Sequence, residues 1–413
     1  MASAAHRGFV AAWCGACVRF GHEMARSMLQ AVPVAAIVLG VLCFSPLAVQ
    51  AGKPAADAAG EGYPPVLPGR PLVFPYDLGA HPDYRTEWWY ITGWLRDRMG
   101  VERGFQLTFF RVRTLIGEDN PSRFAPRQLV LAHAAVADPA SGRLRHAERS
   151  ARAYPGLAGA ATGTTRVDVD GWSLAAEVAG EEGGTMEGNA SGRYRSRIEA
   201  EDFGFDLSFD ARRPPVLNGH QGFSQKAPDP LNASYYYSRP QLAVSGRLRI
   251  EDETVEVDGH AWLDHEWSSE ILPQGARGWD WIGINLHDGG SLMLFQMRDA
   301  EGRAIWAAGT QGDATGRTHT LSADEVRFEP VRHWRSPRTG TRYPVEWRLH
   351  LADGRKLGLR PLMDDQELDS RASTGAVYWE GAVRLYEAPP DGGEREIGQG
   401  YLEMTGYAER LDM

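Results

Sequence analysis

The sequence predicts an all-β protein made of two antiparallel β domains packed together. Three observations predict this fold: short aromatic and β-branched runs recur between turn residues, no long segment has helical periodicity, and the two halves of the chain share a repeat. At 413 residues the chain also exceeds one ordinary domain of roughly 150 residues. Two separate cores are therefore expected.

Runs of strand-forming residues begin at Glu87 and recur about every dozen residues. The first three are residues 87–95 (EWWYITGWL), 104–113 (GFQLTFFRVR) and 128–138 (QLVLAHAAVAD), and Gly, Asp, Asn or Pro clusters separate them. No segment keeps helical periodicity over four turns. Regularly spaced short strands without alternating helices favour antiparallel sandwiches or barrels.

An internal repeat indicates that the two domains are equivalent. Residues 88–95 (WWYITGWL) align without a gap to residues 279–286 (WDWIGINL), and each segment is followed by a turn and a second strand. Pro240 is expected to end the first unit. The predicted organisation is an extension over 52–80, a first domain over 81–240 and a second over 241–413.

The N-terminus predicts export. An apolar run over residues 31–49 follows Arg26 and ends in Val49-x-Ala51, which is typical of a secretory signal cleaved after residue 51. The alternative is an uncleaved anchor, although Pro33 and Pro46 leave a shorter apolar stretch than the roughly 20 residues of a spanning helix. The mature protein would be periplasmic or secreted.

Composition limits the partners. All three cysteines lie in the leader, so the mature chain cannot rely on disulfides. The formal net charge is −10, and removal of residues 1–51 leaves 41 basic and 53 acidic residues, or −12. A chain this acidic is a poor candidate for nucleic acid or anionic membrane surfaces. Its 13 tryptophans favour an amphipathic pocket.

Motifs for nucleotide binding, serine hydrolysis and zinc-peptidase chemistry are absent, and no metal-ligand spacing is present. The densest polar cluster is residues 259–270 (GHAWLDHEWSSE). On a strand, alternate side chains share a face. One face would carry His260, Trp262, Asp264 and Glu266, and the other would carry His265 and Trp267.

A carboxyl group beside indoles in a dry pocket would have a raised pKa and serve as a general acid. Asp264 is the first choice for that acid, with His265, Glu266 and Asp280 as the other catalytic candidates. A rim of salt bridges is the alternative interpretation of the cluster. If Trp279 and Trp281 face a barrel interior, Asp280 faces outward and is structural. Glu87 is expected to pair with Arg85 or Arg111.

Residues 218–240 predict a long ordered loop, which is more often functional than idle. Lys226 and the tyrosines 235–237 are candidates to line a ligand entrance, and His133 on its apolar strand fits a core histidine better than a catalyst. The full set of candidate ligand-binding residues is Trp88, Trp89, His220, Tyr236, His260, Trp262, Trp267, Trp279 and Trp281.

Several segments together resemble the AttH-like, carotenoid 1,2-hydratase-related family of exported lipocalin-like proteins. They include HPDYRTEWWYITGWL, NGHQGFSQK, SYYYSRPQLAVSGRL and GHAWLDHEW. The resemblance covers nearly all of the mature chain and implies two tandem lipocalin-like (calycin-type) barrels. It also implies addition of water to a carbon–carbon double bond of an acyclic carotenoid, without a cofactor.

The hydratases of that family, as the resemblance implies, use a His-x-Trp pair and a Tyr-x-Asp pair on a neighbouring strand. His265 and Trp267 fit the first pair, whereas residues 294–297 (LFQM) carry no Tyr-x-Asp. Two hypotheses follow for an apolar isoprenoid or lipid-like ligand. The protein is either a cofactor-independent hydratase or a non-catalytic periplasmic carrier, with a membrane transporter as a candidate partner.

Overall fold

The computed structural model describes residues 62–177, 192–270, 272–388 and 392–410. The predicted signal peptide over 1–51 lies outside the described residues. In the described part of the chain, no helix is both long and apolar enough to cross a membrane. A 3₁₀ turn at Tyr76–Leu78 precedes the strands, which form two antiparallel sheets.

The first sheet, the N-terminal barrel, contains strands β1 to β13. Their bounds are β1 Thr86–Asp97, β2 Glu102–Arg113, β3 Gln128–Asp138, β4 Arg143–Arg152, β5 Ala158–Ala160, β6 Arg166–Val169, β7 Trp172–Glu177, β8 Gly192–Glu199, β9 Phe203–Ala211, β10 Val216–Leu217, β11 Phe223–Gln225, β12 Ala233–Ile250 and β13 Glu253–Ser268. The order is β4-β3-β2-β1-β13-β12-β9-β8-β7-β6-β5. Because β3 contacts β5 and β6 at the far end of this path, the sheet nearly closes on itself.

The second sheet, the C-terminal barrel, contains strands β14 to β23. Their bounds are β14 Gly278–Leu286, β15 Ser291–Arg298, β16 Ala304–Gly312, β17 Thr318–Leu321, β18 Val326–Arg335, β19 Arg342–Leu351, β20 Lys356–Pro361, β21 Glu367–Ser370, β22 Ala376–Glu387 and β23 Arg395–Met404. The order is β17-β16-β15-β14-β23-β22-β20-β19-β18. The predicted all-β fold of two packed, lipocalin-like domains is confirmed.

Strand periodicity differs between the outer and the shared walls of the barrels. In β8, Tyr194 and Ile198 point into the barrel while the arginines between them face solvent. This alternation is typical of a sheet with one wet face. By contrast, every residue of β15 is buried. Strands β1, β2, β14, β15, β22 and β23 are buried on both faces because their outer faces meet the other barrel.

The change of sheet falls downstream of the predicted 240/241 boundary. The chain leaves the first sheet at Ser268 and enters the second at Gly278. Pro240 lies within β12, at a register shift between Arg239 and Leu242. A bulge tolerates a residue without a backbone N–H, so this proline bends the strand instead of ending it.

The two barrels pack tightly at Gly104 of β2. A β-carbon there would lie 2.6 Å from the Ala382 Cβ and 2.8 Å from the Tyr401 hydroxyl of the other barrel. Nearby, the Trp94 indole N–H donates to the Gly400 carbonyl at 3.0 Å. The close approach therefore requires glycine at position 104.

We expect Gly104→Val to lower the free energy of unfolding by about 1–3 kcal/mol, since the added side chain overpacks the barrel contact. Gly159→Val in β5 is the matched control, because a β-carbon at Gly159 meets nothing within 4 Å. Urea unfolding of both variants measures the difference. Equal loss in the two variants would show that the contact at residue 104 is unimportant.

Candidate functional site

A cleft between the two barrels lies at the end where β1, β14 and β22 begin and where β2, β13, β15 and β23 end. Its walls come from both sheets. The aromatic and thioether side chains that line it are Trp88, Tyr90, Phe110, Trp279, Trp281, Phe295, Met297 and Tyr378. The repeated segments supply corresponding walls, because Trp88 and Tyr90 align with Trp279 and Trp281.

Asp264 projects from β13 into this cleft and accepts three hydrogen bonds. The Ser238 hydroxyl and the Trp262 indole donate to Oδ1, each at 2.6 Å, and the Tyr236 hydroxyl donates to Oδ2 at 2.7 Å. Burial raises the pKa of Asp264 to about 7, although these three donors oppose the shift. Tyr236 also accepts a hydrogen bond from Trp281 at 3.1 Å.

Glu266, two residues along β13, faces the same cleft and is paired with a cation. The Lys226 ammonium lies 2.8 Å from Glu266 Oε1, and the Ser234 hydroxyl donates to the same oxygen. Lys226 also lies over the rings of Tyr236 and Phe295, at 4.8 and 4.5 Å. The loop predicted to line an entrance therefore contributes a lysine to the cleft wall.

Two further carboxyl groups enter the cleft from the C-terminal barrel. Glu380 on β22 and Glu403 on β23 are directly opposite one another in the strand register, and both line the cleft. Burial raises the pKa of Glu403 to about 7, aided by the charges of Glu266 and Asp264 across the cleft. Burial and the charge of Glu403 raise the pKa of Glu380 well above its usual range.

The two glutamates differ in their hydrogen bonds. The Trp279 indole donates to Glu403 Oε2 at 3.2 Å. Glu380 Oε1 makes no hydrogen bond of good geometry among the described residues, although the Tyr90 and Tyr378 hydroxyls lie close enough to Glu380 to oppose the rise of its pKa. Two neighbouring carboxyl groups in a dry site cannot both ionise easily. Glu380 is therefore protonated near neutral pH, with one oxygen uncommitted.

His133 on β3 lines the cleft and forms hydrogen bonds with two residues of the C-terminal barrel. Its Nδ1 lies 2.7 Å from the Tyr378 hydroxyl and its Nε2 lies 2.8 Å from the Ser373 hydroxyl. Ser373 donates in turn to Glu148. Burial lowers the pKa of His133 to about 3, so this histidine is neutral. It is a hydrogen-bonded core residue, as its apolar strand predicted, but it also lines the cleft.

His265 and Trp267 lie on the opposite face of β13, inside the N-terminal barrel, as strand alternation predicted. His265 Nε2 lies 2.8 Å from Glu87 Oε1 and stacks on Trp89 at 4.7 Å. Trp267 stacks on His81 at 3.7 Å. The register of β13 with β1 is regular through this segment. His265, Trp267 and Trp89 therefore lie outside the cleft.

Glu87 is the centre of this interior network. Arg111 donates to Glu87 Oε2 at 2.8 Å, which selects Arg111 from the two predicted partners, and His81 Nδ1 lies 2.7 Å from Glu87 Oε1. Burial alone would raise the pKa of Glu87, but His265, His81 and Arg111 hold it below its usual range.

The His81, His265 and Glu87 ligand atoms lie within 4.8 Å of one another. Ligand atoms at about 2.0–2.1 Å around a tetrahedral metal would be roughly 3.3 Å apart. The imidazole nitrogens of His81 and His265 instead lie 2.7 and 2.8 Å from the same oxygen of Glu87. These separations are those of hydrogen bonds.

Asp280 lies inside the C-terminal barrel. It accepts hydrogen bonds from Arg298 and Gln296, both at 2.7 Å, and from the Tyr407 hydroxyl at 3.0 Å. In the orientation considered from the sequence, Trp279 and Trp281 would lie inside the barrel and Asp280 outside it. The structure shows the reverse, because the two tryptophans face the cleft and Asp280 faces the barrel interior. Each barrel thus buries an acid–arginine pair in its first two repeat strands.

The other candidates occupy different places. Tyr236 and Trp262 stand behind the cleft wall, where they hydrogen-bond Asp264. His260 is on the same face of β13 but four residues away from Asp264, and it does not line the cleft. His220 is exposed and forms a single β-bridge to Phe223.

Sequence reasoning missed Glu380 and Glu403. Each is a single acid within an apolar stretch of its strand, in residues 376–383 (AVYWEGAV) and 400–404 (GYLEM). A buried carboxylate is costly unless it has a use or a partner, so an acid at an apolar strand position is itself a signal.

A family model described as AttH-like matches residues 65–407. The chain belongs to the AttH-like family. The solved structure of an AttH candidate from Nitrosomonas europaea is 46% identical, covers 83% of this chain and 99% of its own, and has a TM-score of 0.73. No curated protein sequence matches the chain.

The AttH-like chain is also similar in fold to kievitone hydratase from Nectria haematococca. That structure is 16% identical, covers 82% of this chain and 93% of its own, and has a TM-score of 0.61. At this identity the likeness concerns the fold alone.

In this AttH-like protein, we expect Arg111→Met to lower the free energy of unfolding by roughly 3 kcal/mol. The substitution removes a cation from a fully buried carboxylate and frees two backbone carbonyls that Arg111 binds at 2.9 Å. Arg96→Met is the control, since Arg96 pairs with Glu102 at the surface and should cost less than about 1 kcal/mol. Urea unfolding that shows equal losses would contradict the structural role of Glu87.

Proposed function

We propose that the protein binds an apolar, isoprenoid or lipid-like ligand in the inter-barrel cleft and adds water to a carbon–carbon double bond of that ligand without a cofactor. The observation that carries the proposal is the facing pair of buried glutamates, Glu380 and Glu403, in an aromatic cleft. Perturbed carboxyl groups concentrate at functional sites because burial without a use is costly.

The cleft walls fit an apolar ligand. Indole and phenol rings from both barrels provide large apolar faces at low conformational cost. Most of the exposed cleft surface is apolar, as in small-molecule sites generally, and the polar side chains that line it include five carboxyl groups. Trp88 lines the cleft from the N-terminal barrel and Trp281 from the C-terminal barrel. The ligand would therefore bury its hydrocarbon surface between the two domains.

The two glutamates can divide the proton transfers. Protonated Glu380 gives its proton to one alkene carbon, and the adjacent carbon becomes a tertiary carbocation. Water forms the new carbon–oxygen bond and releases a proton to ionised Glu403. Proton return from Glu403 to Glu380 then restores the site. Aromatic faces stabilise the intermediate cation by cation–π attraction.

Asp264, the first choice from sequence, fits a positioning role better. All three of its hydrogen bonds are donated to it, and the Trp262 indole can only donate. This set holds Asp264 as an acceptor that orients Tyr236 and, through it, Trp281. Glu380 has the free oxygen that a donor to substrate needs.

The likeness to kievitone hydratase adds only that the fold is shared, so the proposal rests on the cleft. Export to the periplasm and a transporter partner remain predictions from the sequence. A non-catalytic carrier of an apolar ligand would need only the aromatic walls of the cleft. The acid pair is what favours catalysis over carriage.

We expect Glu380→Gln to lower the hydration rate by about 10²–10⁴-fold, because the amide cannot donate a proton to carbon. Mass spectrometry of acyclic isoprenoid alkenes incubated with the protein measures the gain of one water. Tryptophan fluorescence quenching by the same ligands should be little changed. Wild-type activity should rise as pH passes about 7, where Glu403 ionises.

Glu256→Gln is the control for this substitution, since Glu256 is exposed on β13 and lies outside the cleft. Full activity in Glu380→Gln would contradict the assignment of the acid. Quenching without hydration in the wild type, across a broad alkene panel, would favour the carrier.

A further inference from the structure

Exposed apolar side chains are concentrated at one end of the N-terminal barrel. Of the nine large hydrophobic residues exposed among the described residues, six lie where β1 begins and β2 ends. These six are Leu67, Val73, Tyr76, Ile116, Phe124 and Leu157. We call this end, formed by residues 64–84, 114–127 and 152–158, the loop end. Single exposed apolar residues are ordinary, but a cluster marks an interaction surface.

The centre of the loop end is a connected apolar surface. Phe124 stacks on Tyr154 at 5.0 Å, and Leu157 hydrogen-bonds to the Tyr154 carbonyl. Ile116 is adjacent because Gly117 packs against Ala125. Ile116 and Phe124 are 62% and 56% exposed, so more than half of each side chain contacts water.

Arginines flank this surface. The Arg152 guanidinium lies 5.3 Å from the Phe124 ring centroid, and Arg123 precedes Phe124 in an exposed position. Neither arginine forms an ion pair with another described residue. On the same loop, Glu118 is neutralised by Arg113 at 3.3 Å, which leaves Asp119 as the opposing charge. Phe124 therefore adjoins two arginines, one in contact with its ring and one beside it in the chain.

The loop end is also the end at which the cleft lies. Phe110 lines the cleft three residues before β2 ends at Arg113. Gly62, the first described residue, lies at this end as well, since Arg113 donates to the Gly62 carbonyl at 3.1 Å. The candidate cleft and the exposed apolar residues therefore lie at one end of the barrel.

We propose that the loop end docks on an anionic lipid bilayer, with Ile116 and Phe124 in the acyl boundary and Arg123 and Arg152 at the headgroup phosphates. Apolar burial and cation–anion attraction are the two terms that drive such interfacial binding. The acidic net charge of the whole chain had instead predicted poor binding to anionic membrane surfaces. Charges beyond about 8–10 Å are screened at physiological salt, so the local arginines dominate at contact.

Hydrogen–deuterium exchange of the full chain tests the proposal, with vesicles of phosphatidylcholine or of equal parts phosphatidylcholine and phosphatidylglycerol. We expect anionic vesicles to protect residues 114–127 and 152–158 but not residues 97–102 at the opposite end. The double substitution Ile116→Glu with Phe124→Glu should abolish the protection of residues 152–158. The lipid concentration needed for half-maximal protection should rise more than tenfold. This readout is independent of any binding by the leader.

Met99→Glu with Val101→Glu is the matched control, because both residues are exposed and apolar but lie in the β1–β2 turn. It should leave the protection of residues 152–158 unchanged. Protection of residues 97–102, or equal protection in the Ile116/Phe124 variant, would overturn the proposal. Protection that grows with protein concentration in the absence of vesicles would overturn it in favour of a second copy of the chain.

Discussion

Desolvation of carboxyl groups at the contact between the two barrels is the constraint on which the site depends. Glu380 and Glu403 come from the C-terminal barrel, and Asp264 and Glu266 come from the N-terminal barrel. In either barrel alone, these side chains would stand on an outer, hydrated face. Docking removes the water, and the cost of burying charge then raises the pKa values of Asp264, Glu380 and Glu403.

The same docking explains why the shared strands are apolar on both faces. Successive residues of β13 point alternately into their own barrel and into the cleft, so one short segment serves two environments. His265 and Trp267 complete a hydrogen-bonded interior network around Glu87, while Asp264 and Glu266 face the cleft. The interior network stabilises the barrel, and the cleft side carries Asp264, whose pKa is raised by burial.

Strand periodicity predicted much of this arrangement. The alternation within residues 260–267 and the repeated aromatic strands follow from local pattern, because side-chain direction in a strand is fixed by position. The pattern also predicted an arginine partner for Glu87, but it left Arg85 and Arg111 as equal candidates. The AttH-like resemblance predicted the paired barrels. The sequence pattern could not predict which face of a strand points into the barrel interior and which points into the cleft. For Asp280, alternation separated it from Trp279 and Trp281 but could not tell interior from cleft.

Long-range pairing set the other limits. Glu380 and Glu403 are distant from residues 259–270 in sequence, and only the docked barrels bring them to Asp264. Pro240 marked a change in the chain, but whether a proline ends a strand or occupies a bulge depends on the partner strand. The sheet change near residues 268–278 carries its own breaker signal in Pro273 and Gly275, but such residues also mark turns between strands of one sheet, so the pattern alone could not identify the boundary.

Direct measurement of the carboxyl pKa values tests the central claim most sharply. In protein labelled with ¹³C at the glutamate carboxyl carbons, Glu380→Gln and Glu403→Gln assign the two resonances by their disappearance. The account predicts that the Glu403 resonance titrates near pH 7 and the Glu380 resonance well above its usual range. Two resonances that both titrate near the usual value of 4.5 would show that the cleft is hydrated and would contradict the account.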